Sequence, residues 1–72
     1  MGSEAALTVM VNGRQQPWRP GLTLAGLLAD LGVERAAAAV ESNEQVVRRE
    51  DLARTVVEPG DRIEIVRLVG GG

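Results

Sequence analysis

The residues of this sequence best suited to chemistry are the last three, Gly70, Gly71 and Gly72, which follow Val69. A run of residues without Cβ atoms can pass through a narrow channel and take backbone conformations closed to other residues. It also leaves the carboxylate of Gly72 unhindered for attack on a phosphoanhydride. A carboxylate is inert toward sulfur transfer until its oxygen becomes a good leaving group, and an acyl-adenylate supplies one. Composition alone would equally fit a frayed tail or a trimmed linker, because glycine runs at termini are commonly disordered. The position of these glycines, directly after a well-formed strand pattern, raises them above that reading.

The rest of the chain offers little catalysis of its own. It has no cysteine, hence no disulfide, thiol nucleophile or thiolate metal site. It has no histidine, so the commonest general base and the commonest metal ligand are both missing. All eight basic residues are arginine, which excludes Schiff-base chemistry and chains built on a lysine of the same molecule. A net charge of −2 argues against nucleic acid, which demands a basic footprint. One Trp with no Phe or Tyr leaves no stacking platform for bases. The Arg48-Arg49 pair could hold an anion, although charged pairs on small domains are ordinarily solvated surface. No metal, bound cofactor or membrane span is expected. The longest unbroken apolar stretch, Ala36 to Val40, is too short to cross a bilayer, and without a signal-peptide pattern the expected location is the cytoplasm.

The elements that must position the tail can be read from periodicity. Leu7, Val9 and Val11 alternate with Thr8 and Met10, as in a half-buried strand. Asn12-Gly13 then predicts a tight hairpin, since both turn positions need positive φ. Arg14 to Trp18 is the return strand, placed at an edge or cut short by Pro17, and Trp18 is expected in the core. Pro20-Gly21 predicts a turn and Thr23 an N-cap. Leu24, Leu27, Leu28 and Leu31 form one stripe of a helix of two to three turns, closed by Gly32. Ala36 to Val40 is expected as a strand and Val46-Val47 as a short one. Arg48 to Leu52 reads as a polar or short helical turn, and Glu58-Pro59-Gly60-Asp61 as another turn. Arg62 to Leu68 is the last strand, with Ile63 and Ile65 facing one way and Glu64, Val66 and Leu68 the other. One domain over residues 1–72 with a flexible tail at 70–72 follows. A chain this size buries only roughly 60% of its unfolded surface, which leaves no room for a second lobe. The order of elements gives an α+β domain with one helix across one sheet face.

In this order and spacing the chain resembles the ThiS-type sulfur carriers of thiamin biosynthesis, members of the ubiquitin-like β-grasp superfamily. The resemblance runs from Thr8 to Gly72. It is carried by Val9-Met10-Val11-Asn12-Gly13, by Gly21-Leu22-Thr23-Leu24 with Leu27-Leu28 and Leu31-Gly32, and by Val40-Glu41-Ser42-Asn43. Val46-Val47 with Arg49, Gly60-Asp61 before Ile63-Glu64-Ile65-Val66, and the closing Val69-Gly70-Gly71-Gly72 complete it. Two positions depart from the pattern: Arg48 stands where the family usually has Pro, and Ser42 where it is more often apolar.

The resemblance implies a β-grasp fold, a mixed sheet of four to five strands with one main helix, and a carrier rather than an enzyme. It implies an E1-like adenylating enzyme that consumes ATP to convert the Gly72 carboxylate to an acyl-adenylate. Sulfur from a cysteine desulfurase or sulfurtransferase would then displace AMP to give a thiocarboxylate, used within thiazole synthase. The expected docking surface is the sheet face opposite the helix. There Thr8 and Met10 would lie beside Glu64, Val66 and Leu68, so that Met10, Val66, Leu68 and Val69 would meet the partner. Other readings remain open on the sequence: the small subunit of molybdopterin synthase, a protein modifier joined to amines through Gly72, or a plain interaction module.

Overall fold

A computed structural model describes residues 7–68. β1 (Thr8–Val11) and β2 (Arg14–Pro17) pair antiparallel as the expected hairpin. Asn12 at φ 49° and Gly13 at φ 82° supply the two positive values that its turn requires. β2 lies at the edge of the sheet, where a proline without an N–H is tolerated.

α1 spans Leu24–Asp30. The Gly26 N–H donates to Thr23 Oγ1 at 3.1 Å, so Thr23 caps the helix as its sequence position predicts. Gly32 takes φ 72° just beyond the C-terminal end. Leu24, Leu27 and Leu28 are buried, and Leu31 packs against them from the helix end.

β3 (Ala38–Ser42), β4 (Gln45–Val47) and β5 (Arg62–Arg67) complete a five-stranded sheet in the order β2-β1-β5-β3-β4. β5 is the central strand. It runs parallel to β1 and antiparallel to β3, which makes the sheet mixed as expected. Val9, Val11, Val40, Ile63 and Ile65 point to the helix side and form one core with the α1 leucines. Period-two alternation therefore does its work in β1 and β5, where each outward neighbour is exposed or half-buried.

Several expectations are corrected. Ala36 and Ala37 lie in a 3₁₀ turn, Arg35–Ala37, and the strand begins only at Ala38; two successive alanines carry no β preference to resist that turn. Leu7 precedes β1 and is 53% exposed, so the alternation is not carried back to it. Trp18 is half-buried against the core rather than inside it, and its indole N–H donates to the Val57 carbonyl at 2.7 Å. That polar tie explains why the ring stays near the surface.

The segment Arg49–Arg54 is a 3₁₀ helix, and its Leu52 is fully buried. Leu22 and Val57 join it in the core, held by a short ladder from the Val57 N–H to the Leu22 carbonyl (2.7 Å) and from the Leu24 N–H to the Thr55 carbonyl (3.0 Å). Arg48 sits at φ −70° and ψ 151°, a backbone that a proline could also adopt. Ser42 is on the helix side of β3 and half-buried, where an apolar side chain would pack more closely.

Candidate functional site

The predicted reactive residues, Gly70, Gly71 and Gly72, lie outside the described residues, as does Val69. What the structure gives is the strand that leads to them. β5 is held on both sides from Arg62 to Ile65 and on the β3 side beyond that. On one side the Met10 N–H reaches the Asp61 carbonyl and the Asn12 N–H reaches the Ile63 carbonyl, both at 2.9 Å. On the other, five residues of β3 are in register with it, from Ala38 opposite Arg67 to Ser42 opposite Ile63. The Leu68 N–H still donates to the Ala37 carbonyl at 2.8 Å, so the last described residue remains tied to its neighbour.

Two asparagines extend this hold past the points where the neighbouring strands turn away. β1 ends at Val11, which would leave the main-chain groups of Ile65 without a partner. The Asn12 side chain takes its place, with Nδ2 donating to the Ile65 carbonyl at 3.1 Å and Oδ1 accepting from the Ile65 N–H at 2.8 Å. At the other end of β5, Asn43 does the same for Arg62. Its Oδ1 accepts from the Arg62 N–H (2.9 Å), and its own N–H donates to the Arg62 carbonyl (2.7 Å). Both asparagines sit at positive φ in two-residue turns, where Asn is favoured among non-glycine residues. Asn12-Gly13 was legible as a turn; its side chain's reach to a residue 53 positions away was not.

Of the four expected docking residues, Val66 and Leu68 are found together near the tail, 58% and 52% exposed. Met10 is not beside them. It shares the outward face, but the parallel register sets it opposite Arg62, four residues before Val66. At the strand rise that is about 13 Å away, toward the far end of β5. Alternation predicts the face of Met10 correctly, whereas the register belongs to a pairing between distant segments.

The neighbours of Val66 are instead on β3 and β4. Ala39 is opposite Val66, and Glu41 is opposite Glu64 in the adjacent row. Val46, paired with Glu41 from the far side, is 73% exposed. The outward face near the tail is thus apolar at Val46, Ala39 and Val66, with two carboxylates set among them.

The ThiS family model matches residues 9–72. The chain is 32% identical over 66 residues to the sulfur carrier protein ThiS of Escherichia coli, covering 92% of this chain and all of that one. Thiazole synthases from Paramagnetospirillum magneticum and Magnetococcus marinus are 35% and 38% identical over the same length, and here the chain spans only 20% of each. The crystal structure of the thiamine biosynthesis protein ThiS from Geobacter metallireducens superposes with a TM-score of 0.74 at 33% identity, covering 92% of this chain and all of that one. The sheet order, the helix across one face and these matches agree, and the chain belongs to the ThiS family of β-grasp sulfur carriers.

Proposed function

We propose that the carboxylate of Gly72 is the working group of this carrier in thiamin biosynthesis. A partner enzyme directs that carboxylate onto the α-phosphorus of ATP, releasing pyrophosphate and leaving an acyl-adenylate. The persulfide of a cysteine desulfurase or sulfurtransferase displaces AMP to give an acyl disulfide, and a second thiol then attacks the donor's sulfur, forming a disulfide and releasing a terminal thiocarboxylate. Thiazole synthase then takes the sulfur for the thiazole ring. The carrier brings the reactive end and a docking face, the partners bring the catalytic groups, and the exchange takes place in the cytoplasm.

The observation that carries this reading is the family match through residue 72, which joins the Gly70–Gly72 segment to a folded domain. A central strand fastened on the β1 side as far as Ile65 and on the β3 side as far as Leu68 supports it physically. A partner pulling the tail into a channel would pull against that strand, which is paired with a neighbour on each side. The two thiazole synthases that carry a similar stretch within a longer protein support thiazole synthase as the receiving partner. Docking is assigned to the Val66–Leu68 end of the outward face, continuing into Val69, with Met10 at its far margin.

The test is intact-protein mass after incubation with a thiamin-pathway adenylating enzyme, ATP and sulfide, beside the same chain lacking Gly72. The expected result is a mass increment for one oxygen replaced by sulfur, confined to the chain that has Gly72. No increment, with an enzyme that converts its own carrier in parallel, would overturn the proposal.

A further inference from the structure

The outward face of the sheet carries an arrangement that the free protein gains nothing from. Glu41 and Glu64 are directly opposed on β3 and β5, and both are exposed. Opposed residues of an antiparallel pair hold their Cβ atoms about 4.5–5.5 Å apart, and like charges there are destabilising. Among the described residues the ion pairs are Arg19–Asp30, Arg48–Glu50 and Arg54–Asp51, so neither glutamate is in one. Arg62 is the nearest cation along β5 on this face, one outward position before Glu64, and it makes no ion pair with it.

The pair does not stand in a polar surface. Val46 flanks Glu41 across β4, and Ala39 and Val66 fill the adjacent row toward the tail. A residue exposing 73% of its surface, as Val46 does, and one exposing 58%, as Val66 does, are apolar groups on either side of two unneutralised charges. Water can satisfy the carboxylates, yet it does nothing for the valines. A protein surface that covered the valines would strip water from the carboxylates as well, and would fit only if it brought a cation for them.

We infer that Glu41 and Glu64 are a recognition element for the adenylating partner, which seats an arginine or lysine side chain between the two carboxylates while an apolar surface covers Val46 and Val66. The inference rests on the proposed function in one respect: a partner that takes up the Gly72 carboxylate must follow the chain out of β5, past Val66 and Leu68, and so crosses this part of the face. Negative charge on the carrier and positive charge on the partner also speed their encounter, and this part of the attraction is screened by salt. The adenylating enzyme is chosen over the synthase because it is the first to capture the free carrier, the step in which charge steering has most to do.

The test uses Glu41→Gln, Glu64→Gln and the double variant, which keep side-chain shape and remove charge. Each single change is expected to raise the melting temperature of the free carrier by about 1–4 °C, through relief of the opposed charges. The same changes are expected to weaken binding to a thiamin-pathway adenylating enzyme in titration calorimetry by at least about tenfold, and the double variant is expected to lose most of the salt dependence of the wild-type affinity. A gain in stability with a loss in affinity separates recognition from folding, because a merely structural role would move both the same way. Thiocarboxylate formation at saturating enzyme should still go to completion, which keeps the reading of Gly72 apart from the reading of the glutamates. Unchanged affinity and salt dependence in a carrier that is still converted would overturn the inference. A loss of affinity seen only with thiazole synthase would overturn the choice of partner.

Discussion

Asn12 offers the sharpest quantitative test of how the tail-bearing strand is held. Its side chain makes two hydrogen bonds with the main chain of Ile65, at 3.1 and 2.8 Å, and its own φ is 49°. Replacement by glycine removes both bonds and keeps the backbone at ease. Each bond contributes about 1 kcal/mol net, with more lost when the abandoned groups are shielded from water, and Ile65 is only 8% exposed. Asn12→Gly is therefore expected to destabilise by about 2–3 kcal/mol. Asn12→Ala loses the same bonds and adds a left-handed alanine, for about 1 kcal/mol more. A domain of this size is stable by only about 4–11 kcal/mol, so either change is a large fraction of the total. Urea unfolding followed by the fluorescence of Trp18, the single tryptophan, reads both values. Amide exchange at Ile65 should accelerate in both variants. Asn12→Gly within about 0.5 kcal/mol of the wild type would refute the reasoning, since water would then serve Ile65 as well as the asparagine does. Equal losses for Gly and Ala would refute the part assigned to backbone strain.

Two further substitutions should stabilise the protein. Glu44 closes the β3–β4 turn at φ 72° with a side chain that is not favoured there, so Glu44→Gly should raise stability by about 1 kcal/mol in the same urea assay. Gly26 lies inside α1 at ordinary helical φ, and a Cβ there would meet Thr23 Oγ1 at 3.4 Å and the Leu22 and Arg19 side chains at 3.6 Å. Those are contact distances rather than clashes, so Gly26→Ala should add up to about 1 kcal/mol of helix stability, seen as a higher melting midpoint by circular dichroism.

What the sequence made legible was local. The Asn12-Gly13 turn, the Thr23 cap, the leucine stripe and the alternation in β5 all depend on residues within a few positions of one another, and each is found where it was expected. Leu22, Leu52 and Val57 show the limit. Each lies in a loop or a short turn with no period to mark it; Leu22 and Val57 come together where segments 22–24 and 55–57 meet, and Leu52 is carried in by the 3₁₀ helix packed against α1. The face of Met10 was legible for the same local reason, whereas its level along β5 depends on the register of a parallel pair that no nearby residue encodes. The opposed glutamates escaped notice likewise. Glu41 and Glu64 are unremarkable until β3 and β5 are aligned. The reading of the tail rests on its glycines and carboxylate alone, since it lies outside the described residues.

β5 is both the middle strand of the sheet and the last of the five to emerge during synthesis. Until residues 62–67 are available, the β1–β2 and β3–β4 segments have no strand between them to join them. The core can therefore close only with β5 in place, and the pairing that closes it spans some of the longest separations among the described residues, a class of contact that folds slowly. A prematurely terminated product lacks the central strand and the glycines together. On the proposed function, a chain terminated before β5 would lack the strand that joins the sheet and the carboxylate to be activated alike.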